Sequence, residues 1–318
     1  MLRFATLVLV FVLAAPALAQ DKAVKIVLGF PAGATSDLLT RLVADHMRQT
    51  LGQPVIVENK PGAGGQIANE GVKGATPDGA TLLMTPVATM SIYPHSYAGQ
   101  LRYDPFKDFV PLVHLSDFQL SLGVAAKVPA NTLAEYVALV KKDPKTWGFY
   151  ASAAQGSIPH FLGVMFARTA GIELTHVPYK GTAAVLQALA AGEIVAATTL
   201  AADIGTLVKG GKARLLAVAG AKRDATFPGV PTFKESGYDM VGTGWYGLFA
   251  PAGTPGAAVE RLSKAAIAAV KDPAVNKRMV DIGLEPTGHG PAELGRIMKA
   301  DYDKWGPVIR ESGFKPTQ

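Results

Sequence analysis

The sequence predicts an α/β protein of two domains, each built on a sheet flanked by helices. Two observations lead there. Short β-type runs alternate with helical patterns from residue 24 onward, and strand followed by helix, repeatedly, implies a parallel sheet. A chain of 318 residues with this many sheet units also exceeds the ordinary size of one domain.

Lys25–Phe30, within the largely apolar run Val24 to Phe30, predicts the first strand. From Ser36, SDLLTRLVADHMRQTLG sets Leu38, Leu39, Leu42, Val43, Met47 and Leu51 on one helical face, and Gly52 supplies the stop. Pro54–Asn59 reads as the second strand and Gln66–Gly74 as a short helix. Thr81–Thr85, after the turn Pro77-Asp78-Gly79, reads as the third strand. Two apolar stretches with a short break, Phe109–Leu115 and Gln119–Ala126, precede a helix Thr132–Lys142 that opens a second α/β unit. That unit runs strand Gly148–Ala151, helix Ser157–Ala170, strand Leu174–Val177, helix Thr182–Ala191, then strands Ile194–Thr199 and Arg214–Ala219. Tyr246–Pro255 holds one more strand, and helices Pro255–Lys271, Ala274–Ile282 and Pro291–Glu311 close the chain.

The first residues, MLRFATLVLVFVLAAPALAQ, combine one cation (Arg3), an apolar run from Ala5 to Ala15 and the small-x-small site Ala17-Leu18-Ala19. This is the grammar of a secretory signal peptide over residues 1–19. The run falls short of the roughly 20 apolar residues that a membrane helix needs, so the reading is a soluble protein exported to a bacterial periplasm. Cysteine is absent, which removes disulfides, a thiolate nucleophile and a lipidated N-terminal cysteine. Lys and Arg total 31 against 25 Asp and Glu, a formal charge of +6, but the cations are scattered with no run beyond Lys141-Lys142 or Lys222-Arg223. That is solvated surface and no nucleic-acid stripe.

Three strand-to-helix junctions share small residues followed by a hydroxyl where the helix begins: PAGATS before the first helix, SAAQGS (Ser152 to Ser157), and YKGT (Tyr179 to Thr182). Each hydroxyl is a candidate N-cap. The remaining first-turn amides and the positive end of the helix dipole then form an anion site that needs no Arg or Lys. Such loops lie at the carboxyl ends of strands, where open α/β sheets bind ligands. An ordinary cap and turn is the commoner explanation of any one of them alone. Two domains each contributing one would hold a small carboxylate between them.

Other chemistries find no pattern. VENKPGAGG lacks the G-x-x-x-x-G-K-[ST] spacing of a phosphate loop. The six histidines, at 46, 95, 114, 160, 176 and 289, show no paired ligand spacing, so neither metal nor other cofactor is expected. No serine stands in G-x-S-x-G, and Ser157 has no base partner in sequence. His160 reads as packing or capping in its helix's first turn before ligand contact, and Asp37 as a structural carboxylate favoured by the dipole. Trp245 and Tyr246 read as core before cleft, and Lys180 as equally exposed or ligand-pairing.

With these segments in view, the chain closely resembles the Bug family, the periplasmic substrate-binding proteins of tripartite tricarboxylate transporters. The matching stretches are GFPAGATSD, VENKPGAGG, TPDGATLLMT, LRYDPFKDF, ASAAQGSIPH, THVPYKGTAA, GVPTFKESGY, WYGLFAPAGTP and IGLEPTGHGPAEL, nearly the whole sequence after the leader and in the family's order. The resemblance implies a two-lobed, Venus-flytrap protein of the type II periplasmic class, each lobe a mixed sheet flanked by helices. Residues 20–122 and 222–318 would form one lobe and 123–221 the other. It implies a non-catalytic monomer that closes over a small carboxylate and presents it to membrane permease subunits. Matched by motif, the ligand-binding positions are Phe30, Gly33, Ala34 and Thr35 in the first loop, Thr85 and Thr89 at the third strand, Ser152, Gly156 and Ser157 in the second lobe, and Thr199 at a later strand end. Main-chain amides and bridging waters make most of those contacts in the family, and closure is a hinge motion selected by ligand.

The chain departs from the family's pattern in three places. Ala34 replaces a usual second glycine, the second-lobe loop begins Ser152-Ala153-Ala154 where Ser-Pro-Gly is common, and IVAATT ends in Thr198 and Thr199 where an acid often stands. An acid there would suit an ammonium group, so its absence favours a dicarboxylate or aromatic acid over an amino acid. Two alternatives remain: a ligand-sensing partner of a membrane receptor, and a hydrolase or isomerase using Ser157 or His160, which lacks a nucleophile–base pattern.

Overall fold

The computed structural model describes residues 23–316, so the leader read at residues 1–19 lies outside the described residues. Val24–Leu28 (β1) is a largely buried strand, and Thr35–Leu51 (α1) follows it and stops at Gly52, whose left-handed backbone (φ 67) suits glycine. Val55–Asn59 (β2) and Thr81–Pro86 (β3) flank β1 in parallel, with Gln66–Lys73 (α2) between them in sequence. β3 then runs into a helical turn, Ala88–Ile92, and a short helix, Tyr93–Ser96 (α3), neither of which the sequence pattern predicted.

The two apolar stretches expected at 109–115 and 119–126 are one strand, Phe109–Ala125 (β4). Ser116 and Asp117 do not break it, because register shifts at Pro111/Val113 and His114/Ser116 absorb the irregularity while pairing continues. Up to Gln119, β4 pairs antiparallel with Thr243–Pro251 (β9) and, near its middle, with Glu285–His289 (β10). From Leu120 it pairs antiparallel with Ala196–Leu200 (β7) and Ala213–Val218 (β8). One strand therefore belongs to two sheets.

The second sheet continues through Phe149–Ser152 (β5), parallel to both β7 and Thr175–Pro178 (β6). Its helices are Leu133–Lys142 (α4), Pro144–Trp147 (α5), Ile158–Ala170 (α6), Thr182–Ala191 (α7) and Ala201–Lys209 (α8). Both sheets are mixed: β9 runs antiparallel to β3 of the parallel β1–β3 set, and β4 runs antiparallel to β7, which is parallel to β5. α8 and β10 had no counterpart in the sequence reading. β10, EPTGH, carries Pro and Gly and forms only because β4 offers it partners.

Gly256–Lys271 (α9), Pro273–Asp281 (α10) and Pro291–Glu311 (α11) return to the first sheet, α9 against α1 and β4, and α11 against β4 and α3. The excursion between β8 and β9 stays with the second: Phe233 packs 5.4 Å from Phe166 of α6, and Phe227 occupies the space over Gly205 of α8.

α6 seats closely on β5. A Cβ at Gly163 would stand 2.1 Å from the Tyr150 ring, and Tyr150 Oη donates to the His160 carbonyl at 2.8 Å. Gly163→Ala should therefore push helix and strand apart and lower unfolding free energy in urea by about 1–3 kcal/mol. A loss below roughly 0.5 kcal/mol, the range of an ordinary surface change, would show that the seat yields freely.

Candidate ligand-binding cleft

At the carboxyl ends of β1, β2 and β3 the backbone loops touch. A Cβ on Gly29 would lie 2.6 Å from the Gly65 α-carbon, and one on Gly65 would meet both the Phe30 ring and the Thr89 methyl at 3.3 Å. Glycine is required at this crossing because two main chains pass through it. The first loop is fixed from behind by Asp37. Its carboxylate accepts from the Gly33 amide (2.9 Å), Arg41 Nε (3.0 Å) and Asn59 Nδ2 (2.9 Å), while Asn59 also donates to the Phe30 carbonyl (3.0 Å). Burial opposes ionisation of Asp37, but the bonds from Arg41, Gly33 and Asn59 outweigh it and hold its carboxyl below the usual range. Asp37 is structural, as its position suggested.

The hydroxyl caps expected at the three junctions are absent. α1 begins after Ala34, and α7 after Gly181, without a side-chain cap bond. Ser157 holds the cap position of α6 but turns its hydroxyl back to donate to the Ala154 carbonyl (2.6 Å). In α1 the reason is Asp37, which reaches back to Gly33 and ties the turn itself. Among the described residues the Thr35 and Ser36 amides meet no acceptor, so the helix presents them with its positive dipole end.

In the second lobe the loop Ser152 to Ser157 is held by two histidines. His160 Nδ1 accepts the Gly156 amide (3.1 Å), and His176 Nε2 lies 2.8 Å from Ser152 Oγ. The rings lie 4.1 Å apart. Burial pushes His160 down to about 4, and burial with the neighbouring His160 pushes His176 down to about 3. Tyr179 and Gly181 amides donate to the Ser152 and Ala153 carbonyls, tying the loop after β6 to the loop after β5. Thr198 Oγ1 donates to the Pro159 carbonyl (2.7 Å).

The Ser152–His176 contact is sealed in the interior: Ser152 is 0% exposed, and its hydroxyl lies 3.2 Å from the Ala154 carbonyl and 2.8 Å from His176 Nε2, the direction of the second bond following the imidazole tautomer. An imidazole with a pKa of about 3 is also a poor base at neutral pH. Ser157 and His160, the pair raised for a hydrolytic alternative, are each bonded to backbone and not to one another.

α3 links the two loop sets: Tyr93 Oη donates to the Gly64 carbonyl (3.4 Å), Tyr97, at the end of α3, donates to the Gln155 carbonyl (3.0 Å), and Ser96 to the Gly156 carbonyl (3.3 Å). Within this frame Phe30, Ala34 and Thr35 are half-buried and Gly33 is exposed. The hydroxyls at the other matched positions bond within the protein. Thr85 and Thr89, 2.6 Å apart, turn to Asn69 and the Pro86 carbonyl, and Thr199 donates to Asp203 (3.1 Å). The amide of Gly156 is occupied by His160. What these positions offer is backbone and shape more than hydroxyls.

Lys180 is exposed, and Trp245 is 2% exposed with its Nε1 donating to Asp301 (2.7 Å), a core residue. Asn59, His176 and Asp203 are the contributors that the sequence reading missed. Asp203 lies one turn after the strand end, where the chain was read as lacking an acid, and burial pushes its carboxyl up to about 6. Its i, i+4 spacing from Thr199 was a readable signal once β7 was followed by a helix. Among the described residues, no three His, Asp or Glu gather to hold a metal, and no helix is long and apolar enough to cross a membrane.

Residues 39–314 match the family described as the tripartite tricarboxylate transporter family receptor. The fold is similar to the solved structure of periplasmic binding protein BugD (31% identity, TM-score 0.83, covering 93% of this chain and 99% of that one). It is similar to Rpa4515 of R. palustris with adipate (29% identity, TM-score 0.87, 93% and 99%). It is also similar to MatC from Rhodopseudomonas palustris with bound malate (30% identity, TM-score 0.81, 90% and 98%).

The histidine pair sets a pH dependence. A histidine depressed from 6.5 to about 4 contributes stability that is complete above pH 6.5 and is lost as pH falls toward 4. For His160 the loss is on the order of 3 kcal/mol. His160→Asn keeps an acceptor for Gly156 but cannot titrate, so urea unfolding between pH 7 and 4 should show a shallower slope than the parent. Equal slopes would assign the acid sensitivity elsewhere.

Proposed function

Because the chain belongs to the tripartite tricarboxylate transporter receptor family, we propose that it is a periplasmic solute-binding monomer that takes a small carboxylate between its lobes and delivers it to a membrane permease. The observation that carries this reading is the start of α1, where first-turn amides stand without side-chain caps beyond the carboxyl end of β1. Oriented amides and a helix dipole bind a carboxylate without a counter-cation, which suits a protein that must also release it. The secretory leader read from the sequence and the family's periplasmic setting support the location.

The lobes exchange the chain where β4 changes sheet, between Gln119 and Leu120, and where the return reaches β9, near Gly242. The division 20–122 with 222–318 against 123–221 is thus proposed with its return crossing moved to Gly242, since residues 222–242 pack on α6 and α8. Rotation about these two crossings closes the cleft, and ligand stabilises the closed form by mass action.

A dicarboxylate is the favoured ligand class, with an aromatic acid next and an amino acid last. Support comes from relatives holding adipate and malate. The missing acid at the strand end no longer supports this order alone, because Asp203 bonds to Thr199 there.

Calorimetric titration with dicarboxylates, aromatic acids and amino acids should show the tightest binding among the dicarboxylates. Tight binding confined to amino acids would reverse the assignment. Thr35→Pro deletes one free amide at the first helical position, where proline is tolerated, and extended Ala34 (φ −70, ψ 158) suits the residue before proline. It should weaken binding about tenfold or more, the worth of a charge-assisted hydrogen bond. Unchanged affinity would remove α1 from the binding site.

A further inference from the structure

The peptide around Gly156 is held by His160 of its own lobe and by Ser96, Tyr97 and Phe314 from outside it. Gly156 has a left-handed backbone (φ +72), and a Cβ there would meet the Phe314 ring at 3.0 Å and the Tyr97 ring at 3.3 Å. Tyr97 Oη donates to the carbonyl before it, Ser96 Oγ to its own carbonyl, and its amide is held by His160 within the lobe. Phe314 follows α11, a helix packed on the first sheet, and its ring lies 5.4 Å from His160, 5.5 Å from Phe161 and 6.5 Å from Tyr97. Its backbone is set by a turn in which the Phe314 amide donates to Ser312 Oγ (3.1 Å). The same tail is tied to α6 by the Arg168–Glu311 ion pair.

We propose that Ser96, Tyr97 and Phe314 form a clamp by which the first lobe and the C-terminal tail hold the second-lobe loop at Gly156, as positioning residues that set the geometry of ligand binding without touching ligand. The proposal rests on the binding-protein reading for its link to ligand, though the grip on the loop is independent of it. The physical logic is that the loop's own lobe supplies one polar partner to the Gly156 peptide, while the other lobe supplies two hydroxyl donors and an aromatic face. A loop so held takes its shape from groups of the other lobe, through ordinary hydrogen bonds and ring packing that are made in the arrangement the structure shows. Glycine at 156 is the residue that permits it, since any side chain would occupy the space where the two rings meet.

The test uses the intact mature protein with Tyr97→Phe, which removes one hydroxyl and keeps the ring, and Phe314→Ala, which removes the wedge. Hydrogen exchange of ligand-free protein should speed up in the peptide covering residues 153–161 by about three- to tenfold in each variant, with exchange in β1–β3 unchanged. Stopped-flow release of adipate should accelerate by a similar factor, with association within about twofold of the parent. Loop exchange equal to the parent in both folded variants overturns the clamp, and so does faster exchange with unchanged adipate release. A parent protein that binds no carboxylate would overturn the binding-protein reading instead, and the exchange result would then decide the clamp by itself.

Discussion

The structure depends on one strand serving two sheets. Each backbone amide and carbonyl of a buried strand needs a partner, and β4 finds its partners in β9 and β10 up to Gln119 and in β7 and β8 from Leu120. The return crossing is stitched to the same place, with the Ala219 amide donating to the Leu120 carbonyl (2.7 Å) and the Gly242 amide to the Ala219 carbonyl (2.8 Å). The two sheets therefore meet at a narrow neck beside the carboxyl end of β7, where the proposed closure would turn.

The loops after β1 and β5 are each braced from behind by a buried ionisable side chain. Asp37 is kept ionised by three donors, whereas His160 and His176 are kept neutral by burial. The choice of charge state follows the neighbours. A carboxylate can collect amides and a guanidinium, while an imidazole that must accept an amide through Nδ1 has to remain unprotonated there. In both lobes the brace occupies the inner side of the loop and leaves main-chain groups at the front. A site made of main-chain groups leaves little side-chain signature, which fits relatives of similar fold holding such different acids as adipate and malate.

GFPAGATSD illustrates how far the sequence could be read. Strand, turn and helix were legible, and the loop's composition marked it as a candidate site for an anion. The cap was not, because it depends on Asp37 reaching back to Gly33 and on Asn59, twenty-two positions from Asp37, holding the loop from the next strand. ASAAQGSIPH behaves alike. Its loop and helix follow from glycine, proline and apolar spacing, but the partners of Ser152 and Gln155 come from β6 and from the end of α3, and no local pattern names them. α8 and β10 went unread for opposite reasons. The first is a short helix squeezed between two strands, and the second is a strand with poor intrinsic preference that its neighbour recruits.

The sequence by itself determined the alternation of strands and helices, the positions of the loops at strand ends and the family, because periodicity, glycine and proline act over a few residues and leave their mark in order along the chain. Only the tertiary structure decided that β4 is one strand in two sheets, that Asp37 and not a hydroxyl secures the first turn, and that Phe314 reaches Gly156. Those outcomes turn on which distant groups come within hydrogen-bonding or ring-packing distance. That is a property of the folded pairing, and local spacing along the chain does not carry it.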